Sequence, residues 1–246
     1  MKTVLITGAN KGIGFETAKQ LAQRDYFVYL GSRDKAKGND AINKLKDLGI
    51  SNVELIEIDV TNSNSIKQAK KGLESGIKSL DVLINNAGIS AGQPQNMSSI
   101  EIENLRKVFD TNFFGAVQTT QQFLPLLKKS SEPRIVNVSS GLGSLALHSN
   151  TQNPNFAIYD AYSCSKTALN AFTVMLANEL KDTNLPAGRQ SFKINSVTPG
   201  YTATDLNDFK GIQTVEQAAK VIVKYATMDN DGPTGKFFKE DGEVDW

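Results

Sequence analysis

Tyr162 and Lys166 stand four residues apart in the run Tyr162-Ser163-Cys164-Ser165-Lys166. On a helix, residues four apart share a face, so the phenol and the ammonium project together. A free tyrosine ionises near pH ~10, too high for ready proton exchange at neutrality. A neighbouring cation favours the phenolate and is expected to lower that value. The pair is a candidate general acid/base for an alcohol or carbonyl oxygen. Tyr159 serves as a control, since four residues on it meets Ser163, not a cation. Two surface side chains show the same spacing by chance, so the pair takes its meaning from what surrounds it.

A second set of residues is built for phosphate. Thr7-Gly8-Ala9-Asn10-Lys11-Gly12-Ile13-Gly14 separates a β-branched apolar run from an amphipathic one. Glycines let the backbone turn sharply and approach a pyrophosphate. The helix start that follows offers free N–H groups and a positive dipole end. The next apolar run ends Leu30-Gly31-Ser32-Arg33, where an acidic residue ordinarily holds a free ribose 2′-hydroxyl. Arg33 offers instead a planar fork for a 2′-phosphate, and Lys11 can reach the same group. The expected cofactor is therefore NADP(H).

These groups need elements to position them. Short apolar runs alternate with longer amphipathic ones. Strands are expected at 3–7, 27–30, 53–58, 81–84, 134–138 and 192–197, with a closing strand at 235–239. Helices are expected at 16–24, 40–48, 65–77, about 100–127 with a break near Asn112, 160–181 and 215–226. Alternation with buried strands implies an α/β fold, a doubly wound parallel sheet of Rossmann type. No repeat or linker interrupts it, and Leu185–Gln190 reads as a polar surface loop. A single domain over residues 1–246 is expected.

Composition narrows the function classes. The 27 Lys and Arg nearly balance 26 Asp and Glu, a net charge of +1, so no broad basic field exists for nucleic acid. One cysteine, Cys164, and one histidine, His148, exclude an intrachain disulfide and a multi-cysteine metal centre. No metal is expected. The N-terminal MKTVLITG reaches its glycine turn too early for a signal peptide. No apolar run approaches the ~18 residues of a membrane helix, and the expected compartment is the cytoplasm.

In order and spacing the motifs resemble the short-chain dehydrogenase/reductase family over essentially the whole chain. The matching residues are Thr7-Gly8…Gly12-Ile13-Gly14, Asp59-Val60, Asn85-Asn86-Ala87-Gly88, Asn112, Ser139-Ser140, Tyr162…Lys166 and Pro199-Gly200. The resemblance implies an oxidoreductase in which Tyr162 gives a proton to the substrate oxygen and Ser140 hydrogen-bonds that oxygen. Lys166 would bind the nicotinamide ribose and lower the tyrosine pKa, and Asn112 would hold a water of the proton relay. Around the cofactor it implies Gly8, Asn10, Lys11, Gly12, Ile13 and Gly14 at the pyrophosphate. Asp59 and Val60 would meet the adenine, and Asn86, Ala87 and Gly88 its ribose. Pro199, Thr202 and Thr204 would lie at the carboxamide and phosphates, while Asn85 is structural.

More narrowly, the glycine turn, Gly31-Ser32-Arg33-Asp34, Asn112-Phe113-Phe114-Gly115, Gly232-Pro233-Thr234-Gly235-Lys236-Phe237-Phe238 and Trp246 are similar to the NADPH-dependent carbonyl reductases. The partner implied is a small carbonyl substrate: an aldehyde, ketone or quinone. A ketoacyl-carrier-protein reductase is the rival enzyme, and a nonenzymatic NADP-binding regulator the rival of another class. The 22 positions from Ser140 to Tyr162 fall between compact members and the carbonyl reductases' long insertion, leaving monomer and homo-oligomer both open. Cys164 is expected to be packed, His148 to be exposed, and Phe113 and Phe114 to lie in the core. The stretch Tyr201–Gln213 reads as mostly polar, too short for a two-helix lid. It therefore predicts an open site that accepts several carbonyl compounds.

Overall fold

Apolar runs of four to six residues, rich in β-branched side chains, form strands, and the amphipathic runs between them form helices. The computed structural model describes residues 1–150, 159–181 and 191–246. The first half of the chain runs β1 (Thr3–Ile6), α1 (Gly12–Ala22), β2 (Phe27–Ser32), α2 (Lys35–Asp47), β3 (Val53–Glu57), α3 (Ser63–Gly76), β4 (Val82–Asn85), α4 (Ile102–Phe109) and α5 (Gly115–Leu127). It continues with β5 (Arg134–Val138), α6 (Leu145–Ser149), α7 (Asp160–Glu179), β6 (Lys193–Val197), α8 (Val215–Ala226), β7 (Lys236–Lys239) and β8 (Gly242–Glu243). The expected loop at Leu185–Gln190 lies outside the described residues.

The sheet order is β3-β2-β1-β4-β5-β6-β7-β8. β1 to β7 pair in parallel, and only the short β8 returns antiparallel on β7. Alternation along each strand splits the core in two. Val4 and Ile6 pack toward α1, α2 and α8, whereas Leu5 packs toward α3, α5 and α7. This is the doubly wound α/β sheet. Strand order reverses between β1 and β4, the switch point at which such sheets bind ligands.

Several boundaries differ from expectation. α1 begins at Gly12, not Glu16, so the last glycines of the turn are themselves the helix's first turn. α2 begins at Lys35 because the Asp34 carboxylate caps it, accepting the Lys37 N–H at 3.0 Å. The expected break at Asn112 is a π-helical turn, Asp110–Phe114, joining α4 to α5 without interruption. Phe114 is 53% exposed, on the outer side of that turn, and is no core residue. Cys164 faces solvent instead of being packed. His148 is exposed as expected, on α6, with its Nε2 2.8 Å from the Leu142 carbonyl oxygen. Among the described residues no helix is long and apolar enough to cross a membrane, and no group of three potential ligands could hold a metal.

Candidate active site

The glycine turn is shaped by contact with the loop after β4. Gly8 has φ +63°, and a Cβ there would lie 2.9 Å from the Ala87 Cα. A Cβ on Gly14 would lie 2.6 Å from the Gly8 carbonyl oxygen and would also strike the Asn86 amide. Asn86 Nδ2 donates to the carbonyls of Thr7 (2.9 Å) and Gly8 (3.0 Å). The Thr7 hydroxyl accepts the N–H groups of Asn86 and Ala87. Asn86 thus ties the turn to β4. The N-cap of α1, Lys11, is extended and makes no side-chain cap. The first-turn N–H groups, which have no partner within a helix, remain for a ligand.

A cavity of about 560 Å³ opens over the C-terminal ends of the strands. Gly8, Asn10, Lys11, Gly12, Ile13 and Gly14 line one end. Arg33, Asp59 and Val60 follow at the ends of β2 and β3, and Asn86, Ala87 and Gly88 after β4. Ser140, Tyr162, Lys166, Pro199, Thr202 and Thr204 line the rest. Arg33 is exposed at the rim. Its neighbour Asp34 is turned to its own helix, and the Lys37 N–H holds that carboxyl below its ordinary value. Asp59 Oδ1 accepts from the Thr61 N–H and hydroxyl at 2.9 and 2.7 Å. Lys11 pairs with Asp205 at 3.1 Å across the cavity mouth.

Asn112 is the one predicted site residue that does not line the cavity. It is buried, and both ends of its amide are engaged. Oδ1 accepts the Ile89 N–H (2.9 Å), and Nδ2 donates to the Ile89 carbonyl (2.9 Å) and Ser165 Oγ (3.0 Å). The Ser165 hydroxyl in turn donates to the Tyr162 carbonyl at 2.7 Å. The Asn112 side chain joins the 89 segment to α7.

Ser140 stands beside the Tyr162 phenol and favours its ionised form, while the Ser139 hydroxyl is buried against the Lys166 carbonyl. Of the two serines, Ser140 is the one at the phenol. The buried Lys166 donates from Nζ to the Val138 carbonyl at 2.8 Å, and Nζ lies 5.6 Å from the Tyr162 ring centroid. Burial pushes Tyr162 up to about 12, against a smaller lowering by Ser140. It pushes Lys166 down to about 8. The net shift of the tyrosine is therefore upward, where a lowering was expected. Desolvation penalises the charged form of each group, and the ammonium is directed to a carbonyl.

The far end of the cavity holds residues not anticipated: Ser90, Ala91, Leu142, Tyr159 and Leu206. Tyr159, treated above as a control, is the N-cap of α7 and reaches the cavity from there. The 201–213 stretch is less polar in effect than it reads. Tyr201, Leu206, Phe209 and Ile212 are all exposed on it, and Tyr201 and Leu206 line the cavity. Four large apolar residues in thirteen were the available signal. The Ser90 hydroxyl holds the stretch by donating to the Leu206 carbonyl at 3.1 Å.

A sequence profile described as short chain dehydrogenase matches residues 2–214. The chain is 33% identical over 304 aligned positions to a (+)-neomenthol dehydrogenase of Capsicum annuum, covering 95% of this chain and 94% of that protein. The structure of NADPH-bound carbonyl reductase from chicken fatty liver superposes with a TM-score of 0.84 at 27% identity, over 100% of this chain and 99% of that one. A 3-oxoacyl-[acyl-carrier protein] reductase with bound NAD from Brucella melitensis superposes with a TM-score of 0.78 at 25% identity, over 97% and 89% of the two chains.

Proposed function

The chain belongs to the short chain dehydrogenase family, and within it we propose an NADPH-dependent reductase that converts an aldehyde, ketone or quinone carbonyl to the alcohol. The observation that carries this reading is the Tyr162 phenol beside Ser140 in the same cavity as the uncapped start of α1. Residues 1–246 are read as one NADP-binding unit.

The cavity suits a nicotinamide dinucleotide. Free N–H groups at the start of α1 favour a pyrophosphate, and the bare Gly8 and Gly14 leave the turn packed against β4. Asn10, Gly12 and Ile13 would surround that group, Asp59 and Val60 the adenine, and Ala87 and Gly88 its ribose. Pro199, Thr202 and Thr204 would meet the nicotinamide end. Structures of both NADPH-bound and NAD-bound proteins resemble this one, so the choice of NADPH rests on Arg33. The guanidinium is exposed at the rim, and the nearest acid, Asp34, is spent on a helix cap. Lys11 adds a second cation.

When bound, the cofactor supplies the hydride. The chain does the rest. Ser140 and Tyr162 hydrogen-bond the carbonyl oxygen and polarise it. Tyr162, protonated across the neutral range, gives that oxygen its proton. Lys166 holds the nicotinamide ribose and stabilises the phenolate left behind. Asn112 braces the 89 segment against α7 with its side chain and would hold the water of the proton relay.

The substrate end, with Ala91, Leu142, Tyr159, Tyr201 and Leu206, favours an uncharged and largely apolar carbonyl compound. The test is a panel of aldehydes, ketones and quinones, followed by loss of NADPH absorbance with NADH in parallel. Turnover of several apolar carbonyls with NADPH preferred is expected. No turnover of any carbonyl, or a preference for NADH, overturns the reading.

A further inference from the structure

Gln95 lies in the connection between β4 and α4, yet its side chain is fully buried. Its Oε1 accepts the backbone N–H of Tyr162 at 3.1 Å. Its Nε2 donates to the Ser90 carbonyl and, at 3.3 Å, to the Ala91 carbonyl. Tyr162 is the third residue of α7, so its N–H is one of the first-turn donors that no helical carbonyl can satisfy. The helix has no side-chain cap of its own, since its N-cap, Tyr159, makes none. A glutamine from another segment takes that place. A second tie runs the other way, with Asp160 Oδ2 accepting the Met97 N–H at 3.4 Å. The connection is thus clamped onto the first turn of the helix that carries the phenol.

We propose that Gln95 is a positioning residue for Tyr162: it fixes the first turn of α7 against the Ser90 segment and so holds the phenol at Ser140. The proposal rests on the proton-donor role given to Tyr162 above. Gln95 does not line the cavity and touches no reacting atom. Lys166, one turn further along, has an independent hold on the Val138 carbonyl. Loss of Gln95 therefore loosens the phenol and spares the ribose-binding ammonium. Misplacement of a reacting group by about 1 Å can cost on the order of 10²-fold in rate.

The test uses Gln95→Met, close in volume but without polar atoms, and Gln95→Glu, which keeps an acceptor for the Tyr162 N–H. For Gln95→Met we expect kcat to fall by about 10- to 100-fold. NADPH affinity by fluorescence titration stays within about twofold, and amide exchange at Tyr162 becomes faster. Gln95→Glu recovers part of both kcat and protection. In a Tyr162→Phe background, Gln95→Met costs no further rate, because residues that act as one unit are not additive. The same fold loss in both backgrounds, wild-type kcat in Gln95→Met, or unchanged exchange at Tyr162 overturns the proposal. If Gln95→Met does not fold, Gln95→Glu decides: exchange at Tyr162 as slow as in wild type with kcat at least partly kept supports the tie, and fast exchange with full kcat overturns it. Full activity of Tyr162→Phe alone defeats the proton-donor reading instead, and amide exchange still judges the tie.

Discussion

The Lys166 ammonium is 2.8 Å from the Val138 carbonyl oxygen, to which it donates. One turn earlier on α7 stands the Tyr162 phenol, with Ser140 beside it. The two groups differ in what burial does to them: the lysine is pushed down to about 8 and the tyrosine up to about 12.

That difference predicts the alkaline limb of carbonyl reduction. Tyr162, the acid, stays protonated well past neutrality. The ammonium of Lys166 is present below about 8 and is lost as pH rises through that value. Turnover is expected to fall there with a one-proton dependence, as the charge that stabilises the nascent phenolate disappears. Profiles of kcat against pH for wild type and Lys166→Met check this. A limb of the same position in the variant assigns it to another group.

Tyr162→Phe removes the phenolic oxygen and keeps the ring. Loss of general acid catalysis is worth roughly 10²–10⁴-fold, so turnover is expected to drop by that much. NADPH affinity is expected to change little, because Lys166 keeps its bond to Val138. Steady-state rates and cofactor fluorescence titration measure the two effects separately. A variant with wild-type turnover removes Tyr162 from the reaction.

Arg33→Asp tests the cofactor. The substitution takes away a planar donor pair and sets a like charge beside a 2′-phosphate. Preference is expected to move from NADPH toward NADH. Reversal is incomplete, since Lys11 remains near the same group. Asp205 already shares Lys11, so Asp205→Asn in the Arg33→Asp protein is expected to restore part of the NADPH affinity. Dissociation constants for both cofactors decide it; equal NADPH affinity in wild type and Arg33→Asp makes Arg33 an ordinary surface cation.

The parallel strands and the glycine turn were legible in the sequence because each rests on local physics. β-branched apolar runs make buried strands, and a tight turn against β4 tolerates little beyond glycine at Gly8 and Gly14. Tyr162 and Lys166 were legible through the helical period. What escaped depends on contacts remote in sequence. Asn112 reads as a polar group in a helix, and nothing local says that Ile89 and Ser165 consume its amide. Phe114 and Cys164 sit on a π-turn and a helix whose outward faces only the packed fold defines. The direction of the Tyr162 shift follows from desolvation, which spacing cannot reveal. Gln95 carries no motif at all, and its burial against Tyr162 emerges only when the connection after β4 and the start of α7 are brought together.

The 201–213 stretch bears on substrate choice. Its backbone is pinned: the Thr202 hydroxyl donates back to Pro199 and Gly200, Asn207 Nδ2 donates to the Thr202 carbonyl at 2.9 Å, and Ser90 holds Leu206. Its side chains are not: Tyr201 is 52% and Leu206 40% exposed, with both facing the cavity. A wall of fixed backbone and free apolar side chains recognises size and apolarity rather than a particular functional group. Each methylene in contact with such a wall is worth only about 1–3 kcal/mol, so several carbonyl compounds are expected to react at comparable kcat/KM. Leu206→Ala and Tyr201→Ala are expected to raise KM for a bulky apolar ketone by roughly tenfold or more, while a short aldehyde that does not reach the wall is little affected. NADPH affinity is expected to be unchanged. Measured over a series of ketones of increasing size, the loss should grow with the substrate. An equal loss for the short aldehyde and the bulky ketone would place these two side chains in cofactor binding or folding, and a single compound preferred by several orders of magnitude would mean that recognition comes from elsewhere in the site.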